Sequence, residues 1–484
     1  MHTRWNVPQW FVVLPLLASV GEPVIAQEAP ANREARTFAA GFNAHHICAG
    51  IFVVGRVYER DAETVFQEDV VRFPDFGWRD DFRYQVDWED RSVTVSGDDI
   101  APQTAEYFGD QGCVILPEGA DSVYFVPVDV TSTLPDPATQ PWPTGDLDAT
   151  GPPPPEIDRA ALERALDAGL AAEGQNTRAI VVVYKGKIIG ERYAPGWTKD
   201  TPQISWSMGK SLTAALFAIL VGEGLYDVDD PAPIAAWHGS GDPRAEIRIK
   251  DLLRMSSGLD FDNFGVSDER SWSRANEHFL IYFDAVDVFE HAIDQPLRFP
   301  PNTEWRYRNS DPLTIGRVVR ETVEGRGGNY HTFPQRALFD RIGMRNVVLE
   351  TDAWGNFILT GYDFASARDW ARFGLLHLWD GVWEGERVLP DGWVEFITTP
   401  APANEGLAYG GLWWLNRGGA LDRVPRDAYF AAGYMGQRTL VIPSRDMVIV
   451  RLGPNPGDSI TSLNDLAGDV LDAVRVTADV GCGR

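Results

Sequence analysis

Positive charge is scarce in this sequence. Its 484 residues include 43 Lys and Arg against 70 Asp and Glu, which gives a formal net charge of -27 at pH 7. Nucleic acids and anionic membrane surfaces bind proteins through lysine and arginine. The charge balance therefore argues against both as partners. The acidic residues form no long runs, so we interpret them as a solvated surface.

Cysteine is rarer still, with three in the chain. Cys48 and Cys113 lie in the same N-terminal region and could form one disulfide in an oxidising compartment, whereas Cys482 would remain free. The segment His45-His46-x-Cys48 contains potential metal ligands, but a structural zinc site needs four ligands at recognisable spacing. The sequence therefore predicts no metal site.

Apolar runs of transmembrane length are missing as well. Near the N-terminus, His2 and Arg4 precede the apolar run 10–20, and Val24-Ile25-Ala26 follows it. A weakly basic start, a short apolar core and a small-x-Ala end are typical of a secretory signal peptide, which we predict over residues 1–26. The core is too short to span a bilayer comfortably. The sequence predicts a periplasmic or secreted protein without an integral membrane segment after cleavage, the alternative being an uncleaved anchor.

The chain after the predicted signal divides into three parts by composition. We expect residues 27–130 to form a small β-rich or α+β accessory module. Residues 131–157 are rich in proline and are predicted to be a stiff linker, with a proline-rich recognition segment as the alternative. Residues 158–484 are predicted to be the main domain. Within the module, apolar or alternating patterns predict strands at 50–54, 83–88, 92–95 and 122–128.

The main domain has strand patterns at both ends and helical patterns between them. It begins with an amphipathic helix at 160–172 and a hairpin whose turn is Lys185-Gly186-Lys187. This order predicts an α/β (α+β) fold, in which helices flank one antiparallel sheet that carries an all-helical insertion, and a site would fall at their junction. The C-terminal elements are predicted as strands at 409–415, 428–432, 439–442 and 447–452 and a helix at 459–474.

The segment Ser207-Met208-Gly209-Lys210 carries the first chemical signal. The apolar run 212–221 follows it, so we predict a buried helix that begins near Ser205 as its N-cap. Residues three apart share a helix face, which lets the Lys210 amine reach the Ser207 hydroxyl. A serine needs an adjacent base to become a nucleophile, and lysine can serve if burial keeps it neutral. The alternative is a helix cap with an unrelated surface lysine.

Two further segments complete a resemblance. Together with Tyr307-Arg308-Asn309 and Ala432-Gly433-Tyr434, the Ser207 segment resembles the penicillin-recognising serine hydrolases. The nearer branch contains class C β-lactamases, family VIII carboxylesterases and 6-aminohexanoate-oligomer hydrolases. The resemblance covers roughly 157–476 and not the N-terminal module.

The resemblance implies roles for these residues. Tyr307 would shuttle a proton between the nucleophile and the leaving group, and Asn309 would hold the substrate's acyl amide or the lysine. The backbone N–H groups of Ser207 and Tyr434 would form the oxyanion hole, and Gly433 would let the substrate lie close to the strand. Taken singly, Tyr307 could be a packed aromatic, Asn309 a turn residue and Gly433 a β-bulge. Candidate pocket walls are Trp206, Tyr434 and Trp272.

One segment departs from the family pattern. Where β-lactamases and D,D-peptidases have Lys-Thr-Gly or His-Thr-Gly, residues 431–433 are Ala-Ala-Gly. A cation that would bind a substrate carboxylate is therefore missing at that position, which argues against both activities.

The sequence thus predicts an exported serine hydrolase for small-molecule esters or amides. It would act through a Ser207 acyl-enzyme with Lys210 and Tyr307 as general base and acid, and it requires no cofactor. The first alternative is a D,D-peptidase or β-lactamase that acts on cell-wall peptides or β-lactams. The second is an inactive ligand-binding or envelope protein on the same scaffold. Oligomeric state is not predicted.

Overall fold

A computed structural model describes residues 33–71, 78–147, 154–261 and 277–474. The predicted signal peptide, Trp272 and Cys482 lie outside these ranges. The N-terminal unit begins with a buried helix, α1, and contains a four-stranded antiparallel sheet in the order β1-β2-β3-β4. Its elements are α1 Arg33–Cys48, α2 Ala62–Val65, β1 Arg83–Asp87, β2 Ser92–Ser96, β3 Gln103–Tyr107 and β4 Cys113–Ile115.

Two of the four strands predicted in this unit are confirmed, those at 83–88 and 92–95. The strand predicted at 50–54 is wrong, because α1 continues there as a π-helical turn, Ala49–Val53. A short buried apolar run has the same pattern in a helix and in a strand, which explains the error. The strand predicted at 122–128 is also wrong: this segment is irregular, and the Tyr124 N–H donates to the carbonyl of Ala353 at 2.8 Å.

The main domain is built on a six-stranded antiparallel sheet. Its helices are α3 Arg159–Ala171, α4 Gly209–Gly222, α5 Ile249–Leu253, α6 Glu277–Phe283, α7 Val288–Ile293, α8 Ser310–Gly325, α9 Asp340–Ile342, α10 Ala367–Leu378, α11 Trp393–Thr398 and α12 Ser459–Ala473. Its strands are β5 Ala179–Tyr184, β6 Lys187–Tyr193, β7 Gln203–Ile204, β8 Val347–Leu349, β9 Asp363–Ala365, β10 Val382–Trp383, β11 Glu386–Arg387, β12 Trp414–Leu415, β13 Tyr429–Gly433, β14 Gln437–Ile442 and β15 Met447–Leu452.

The large sheet joins the two ends of the domain in the order β12-β13-β14-β15-β5-β6. Helices α3 and α12 cover one face, and the other face packs on α10 and the buried α4. The hairpin between β5 and β6 turns at Lys185 and Gly186, both with positive φ, as the Lys-Gly-Lys sequence predicts. The predicted antiparallel sheet with flanking helices and a helical insertion is confirmed. Of the strand predicted at 409–415, only Trp414–Leu415 is formed.

The N-terminal unit packs directly on the main domain. Asp69 accepts hydrogen bonds from Arg60 of its own unit and from Arg178, which precedes β5, at 2.7 and 2.5 Å. The proline-rich segment also lies against the main domain, where the Trp142 indole donates to the Gly186 carbonyl at 2.8 Å. The boundaries at 130 and 157 stay predictions.

Cys48 and Cys113 form a disulfide that joins the end of α1 to β4. In the described ranges one helix, spanning Ala35–Arg56, is long and apolar enough to cross a membrane. Its most apolar window is 89% buried inside the protein, as expected for a core helix.

Asp69 provides a test of how the two units are joined. Burial by itself raises the pKa of Asp69, but the neighbouring Arg178 and Arg60 outweigh it and hold that pKa well below its ordinary value. The carboxylate therefore stabilises the fold above the pKa of an unfolded aspartate, about 3.9, and this contribution is lost as the pH falls.

We expect Asp69→Asn to lower the free energy of unfolding at pH 7 by about 3 kcal/mol, because it removes the closer and more buried of the two carboxylates that pair with both buried guanidinium groups, the other being Glu68. Urea unfolding measures the change. Asp391→Asn, whose side chain is 90% exposed, is the control and should stay within about 0.5 kcal/mol of the wild type. Equal effects of the two substitutions would contradict the role given to Asp69.

Candidate active site

Ser207 lies in a single 3-10 turn, Trp206–Met208, that leads directly into α4. Trp206 has φ of 52°, a left-handed conformation that is unfavourable for a bulky residue and marks local strain. Ser205 does not cap the helix as predicted. Its hydroxyl donates to the Gln203 carbonyl and accepts from the Trp370 indole at 2.8 Å, so it anchors the turn to α10 instead.

Lys210 points from the first turn of α4 to the serine. Its Nζ lies 3.0 Å from Ser207 Oγ and 3.0 Å from the carbonyl oxygen of Thr360. The side chain is 1% exposed, which rules out a surface lysine. Burial lowers the pKa of Lys210 well below its ordinary value, although the nearby Asp363 acts in the opposite direction. Burial therefore favours the unprotonated amine beside the hydroxyl.

Asp363 is a site residue that the sequence analysis missed. It is buried at the start of β9, and a methyl group on Gly209 would meet its Oδ1 at 2.2 Å. Burial raises the pKa of Asp363 well above its ordinary value, against the effects of the nearby Ser205 and Lys210 side chains. Gly209 thus lets this carboxyl approach α4. No motif in the sequence indicates that contact.

Tyr307 comes from a distant loop just before α8. Its ring centroid is 4.9 Å from Lys210 Nζ, and the side chain borders the same cavity as Ser207. Burial raises the pKa of the phenol, while the nearby Ser207 hydroxyl and the charge of Arg438 partly oppose this shift. Tyr307 therefore remains protonated at neutral pH, beside the cavity that Ser207 also borders.

Asn309 is fully buried behind the cavity. Its Nδ2 donates to Nδ1 of His278 at 2.9 Å, so the described contact of the amide is with that imidazole. His278 lies on α6, borders the cavity and was also missed. Burial and the Lys210 amine lower the pKa of His278 to about 3, which leaves the ring neutral at physiological pH. The substrate-binding role of Asn309 stays a prediction.

Strand β13 ends beside the serine turn. Gly433 pairs with Gln437 in an unbroken register, so it is not a bulge. A methyl group on Gly433 would lie 2.0 Å from the carbonyl oxygen of Ser205. Glycine is required here because the strand and the serine turn touch through their backbones. Tyr434 follows, and its ring meets that of Trp206 edge-on at 5.8 Å, so both predicted walls border the cavity.

Arg438 brings a cation to this edge of the cavity. It lies on β14 directly opposite Ala432 and is 6% exposed. Its guanidinium donates to the Gly433 carbonyl at 2.6 Å and to the Ser459 hydroxyl at 2.9 Å. Burial lowers its pKa to about 10, so it stays charged at neutral pH. Strand β13 has no cation at the predicted position, and the cation on the neighbouring strand was not predicted because only the strand register brings it there.

The cavity has a volume of about 480 Å³ and is mostly apolar. Arg438 is the one formally charged side chain among the described residues that border it. In the described parts of the chain, no group of three or more His, Cys, Asp and Glu side chains could hold a metal ion. The other bordering residues are Trp206, Ser207, His278, Tyr282, Phe283, Tyr307, Ala408, Trp414, Leu415, Ala420, Phe430, Ala432, Gly433, Tyr434 and Ile460.

An antiparallel sheet with flanking helices, and a serine-lysine pair at its edge, define a β-lactamase-like protein. The Beta-lactamase family model matches residues 162–458, more than half of the chain, and the protein belongs to this family. Residues 33–116, which contain α1 and the small sheet, lie outside the matched region.

Three similar proteins differ in their described activities. A 6-aminohexanoate-dimer hydrolase of Paenarthrobacter ureafaciens is 25% identical over 70% of this chain and 86% of its own. A family VIII carboxylesterase structure has a TM-score of 0.51 at 15% identity, over 67% of this chain and 99% of its own. A penicillin-binding protein homologue from Caulobacter crescentus has a TM-score of 0.51 at 14% identity, with the same coverage. The two structures show the shared fold.

The buried amine can be tested by substitution. We expect Lys210→Arg to lower kcat for p-nitrophenyl acetate by about 10²–10⁴-fold, because a guanidinium remains protonated and cannot accept the serine proton. In the wild type, activity should fall as the pH is lowered through the depressed pKa of Lys210, since the base must be unprotonated. Lys250→Arg is the control, because Lys250 pairs with Asp229 and does not border the cavity. Wild-type activity in Lys210→Arg would exclude the amine as the base.

Proposed function

We propose that this protein hydrolyses esters or amides of small molecules through an acyl-enzyme on Ser207. One observation carries the proposal: the Lys210 amine lies 3.0 Å from a serine hydroxyl at the edge of an apolar cavity, and burial lowers its pKa. A neutral amine at that distance is the adjacent base that a serine nucleophile requires.

The reaction takes place in two acyl transfers. Ser207 Oγ attacks the substrate carbonyl carbon while its proton passes to Lys210 Nζ, and the oxyanion accepts hydrogen bonds from the backbone N–H groups of Ser207 and Tyr434. Tyr307 gives its phenolic proton to the leaving oxygen or nitrogen as the carbonyl–leaving-group bond breaks, and it regains a proton from the Lys210 ammonium. Water then attacks the acyl-enzyme with the same groups acting in reverse, which releases the acid and restores Ser207.

The opposite pKa directions of the two groups support Lys210 as the base. Burial favours the uncharged form of both, which is the unprotonated amine of Lys210 and the protonated phenol of Tyr307. At neutral pH the amine is thus the group ready to accept a proton, and the phenol is the group ready to donate one. The two groups titrate as a coupled pair, so a pH profile reports their joint behaviour.

The cavity favours an apolar acyl or leaving group. Seven of its sixteen bordering residues are Trp, Tyr or Phe, and apolar contact with such rings favours the binding of small molecules. The similarity to a 6-aminohexanoate-dimer hydrolase and to a family VIII carboxylesterase supports linear amides and esters as the classes to assay.

We also propose that the protein is exported. The N-terminal sequence is typical of a signal peptide, and the disulfide between Cys48 and Cys113 fits an oxidising compartment.

A second candidate function is the hydrolysis of β-lactams or D-Ala-D-Ala peptides. Arg438 is the observation that favours it, because a buried guanidinium at the cavity edge is suited to a substrate carboxylate. The same guanidinium already donates to the Gly433 carbonyl and to Ser459. A structural role in holding the end of β13 therefore competes with carboxylate binding.

Covalent labelling tests the nucleophile. We expect a fluorophosphonate to label the wild type at Ser207, and Ser207→Ala to lose both labelling and turnover of p-nitrophenyl esters, because no activated hydroxyl remains. Ser211→Ala, one turn further along α4 where the hydroxyl donates to the Leu412 carbonyl, is the control and should still be labelled. Wild-type turnover in Ser207→Ala would refute the assignment, and an unlabelled, inactive wild type would favour a binding protein.

Arg438 separates the two candidate functions. We expect the wild type to hydrolyse neutral p-nitrophenyl esters and to leave nitrocefin, which carries a carboxylate, unchanged. Should nitrocefin be hydrolysed, Arg438→Met would show whether the guanidinium binds its carboxylate. The second candidate would be supported if Arg438→Met lowered kcat/KM for nitrocefin about tenfold more than kcat/KM for the neutral ester. A tenfold difference corresponds to about one charge-assisted hydrogen bond.

A further inference from the structure

The N-terminal helix lies immediately behind one wall of the cavity. Three aromatic residues, Trp206, Tyr282 and Phe283, border the cavity next to Ser207, and we refer to them as the aromatic wall. Tyr282 and Phe283 end helix α6, and Trp206 precedes the nucleophile. The surface of this wall that faces away from the cavity packs on α1. Helix α1 lies outside the residues that the family model matches.

The Phe283 side of the wall contacts α1 through both side chain and backbone. The ring of Phe42 meets that of Phe283 edge-on at 5.1 Å. One residue earlier, a methyl group on Gly41 would lie 2.0 Å from the Phe283 carbonyl oxygen, whereas ordinary contact begins at 3.4 Å. Helices α1 and α6 thus touch at a point where only glycine fits.

The other two rings of the wall also rest on α1. The ring of His46 stacks near Trp206 at 5.4 Å. The ring of His45 stacks on Tyr362 at 3.8 Å, and the Tyr362 hydroxyl donates to the Tyr282 carbonyl at 2.8 Å. Every member of the aromatic wall therefore has a contact with α1, either directly or through Tyr362.

Helix α1 is itself held in place. His45 Nε2 lies 2.6 Å from a carboxylate oxygen of Glu350, and both side chains are buried. The other oxygen of Glu350 accepts from the Cys113 N–H at 2.8 Å, and Cys113 is bonded to Cys48 at the end of α1. A buried polar pair and a covalent link thus set where the helix lies against the main domain.

We propose that α1 is a positioning element of the active site and determines which acyl groups the cavity accepts. By fixing the far side of the aromatic wall, it sets the distance between that wall and Ser207, and hence the size of the acyl group that fits. This inference rests on the proposed hydrolase function. It gives the N-terminal unit a role in substrate selection.

Gly41→Ala tests the inference without altering any residue that borders the cavity. The added methyl group forces α1 and α6 apart and shifts Phe283 and Tyr282. The readout is the ratio of kcat/KM for p-nitrophenyl octanoate to that for p-nitrophenyl acetate. A loss of folded protein scales both values equally and leaves the ratio unchanged, whereas a displaced wall alters it.

We expect Gly41→Ala to change this ratio about tenfold or more, because a displacement near 1 Å at a reacting site costs up to two orders of magnitude in rate. Gly55→Ala is the matched control in the same helical segment, since no atom lies within 4 Å of the added methyl group. Its ratio should stay within about twofold of the wild type.

Phe42→Leu is the second variant, and it decides the case if Gly41→Ala yields no folded protein. A wild-type ratio in the folded variants would overturn the inference. Ser207→Ala in the same assay keeps the two proposals apart. If Ser207→Ala is inactive and the ratios are unchanged, only the role of α1 fails, and if Ser207→Ala retains turnover, the proposed function itself fails.

Discussion

The removal of one amine from water is the constraint on which the candidate site depends. A lysine in solvent is protonated at neutral pH and cannot act as a base, so the proposed chemistry requires Lys210 to be buried. The apolar helix α4, the Thr360 carbonyl and the loop that carries Tyr307 provide that enclosure. Two glycines then permit close approaches that a side chain would prevent: the Asp363 carboxyl to Gly209, and the Ser205 backbone to Gly433.

The same enclosure explains why the site is assembled from distant parts of the chain. No single segment can surround an amine while leaving one face open to a substrate. Helix α4 supplies the lysine and the turn before it supplies the serine. Helix α8 begins beside the tyrosine, β13 closes the edge, and α1 packs behind the aromatic wall. The strained φ of Trp206 persists because surrounding rings pack it, among them His46 and Tyr434.

Most regular elements of the main domain could be predicted from local patterns. The β5–β6 hairpin, β15 and helices α3 and α12 follow from alternation, turn residues and amphipathic spacing. The N-terminal unit was harder, since the buried run after Cys48 has no periodicity that separates a helix from a strand. Long-range neighbours such as Asp363, His278 and Arg438 were missed because none of them lies in a motif that contains the serine.

The sequence by itself determined the candidate pair, since a serine and a lysine three residues apart in a helical segment are neighbours whatever surrounds them. It also determined the order of strands and helices that leads to this sheet. Only the tertiary structure decided that the lysine is buried, that a guanidinium reaches the cavity from β14, and that α1 backs the aromatic wall. Protonation and packing depend on which atoms exclude water from a group, and those atoms come from segments that only folding brings together.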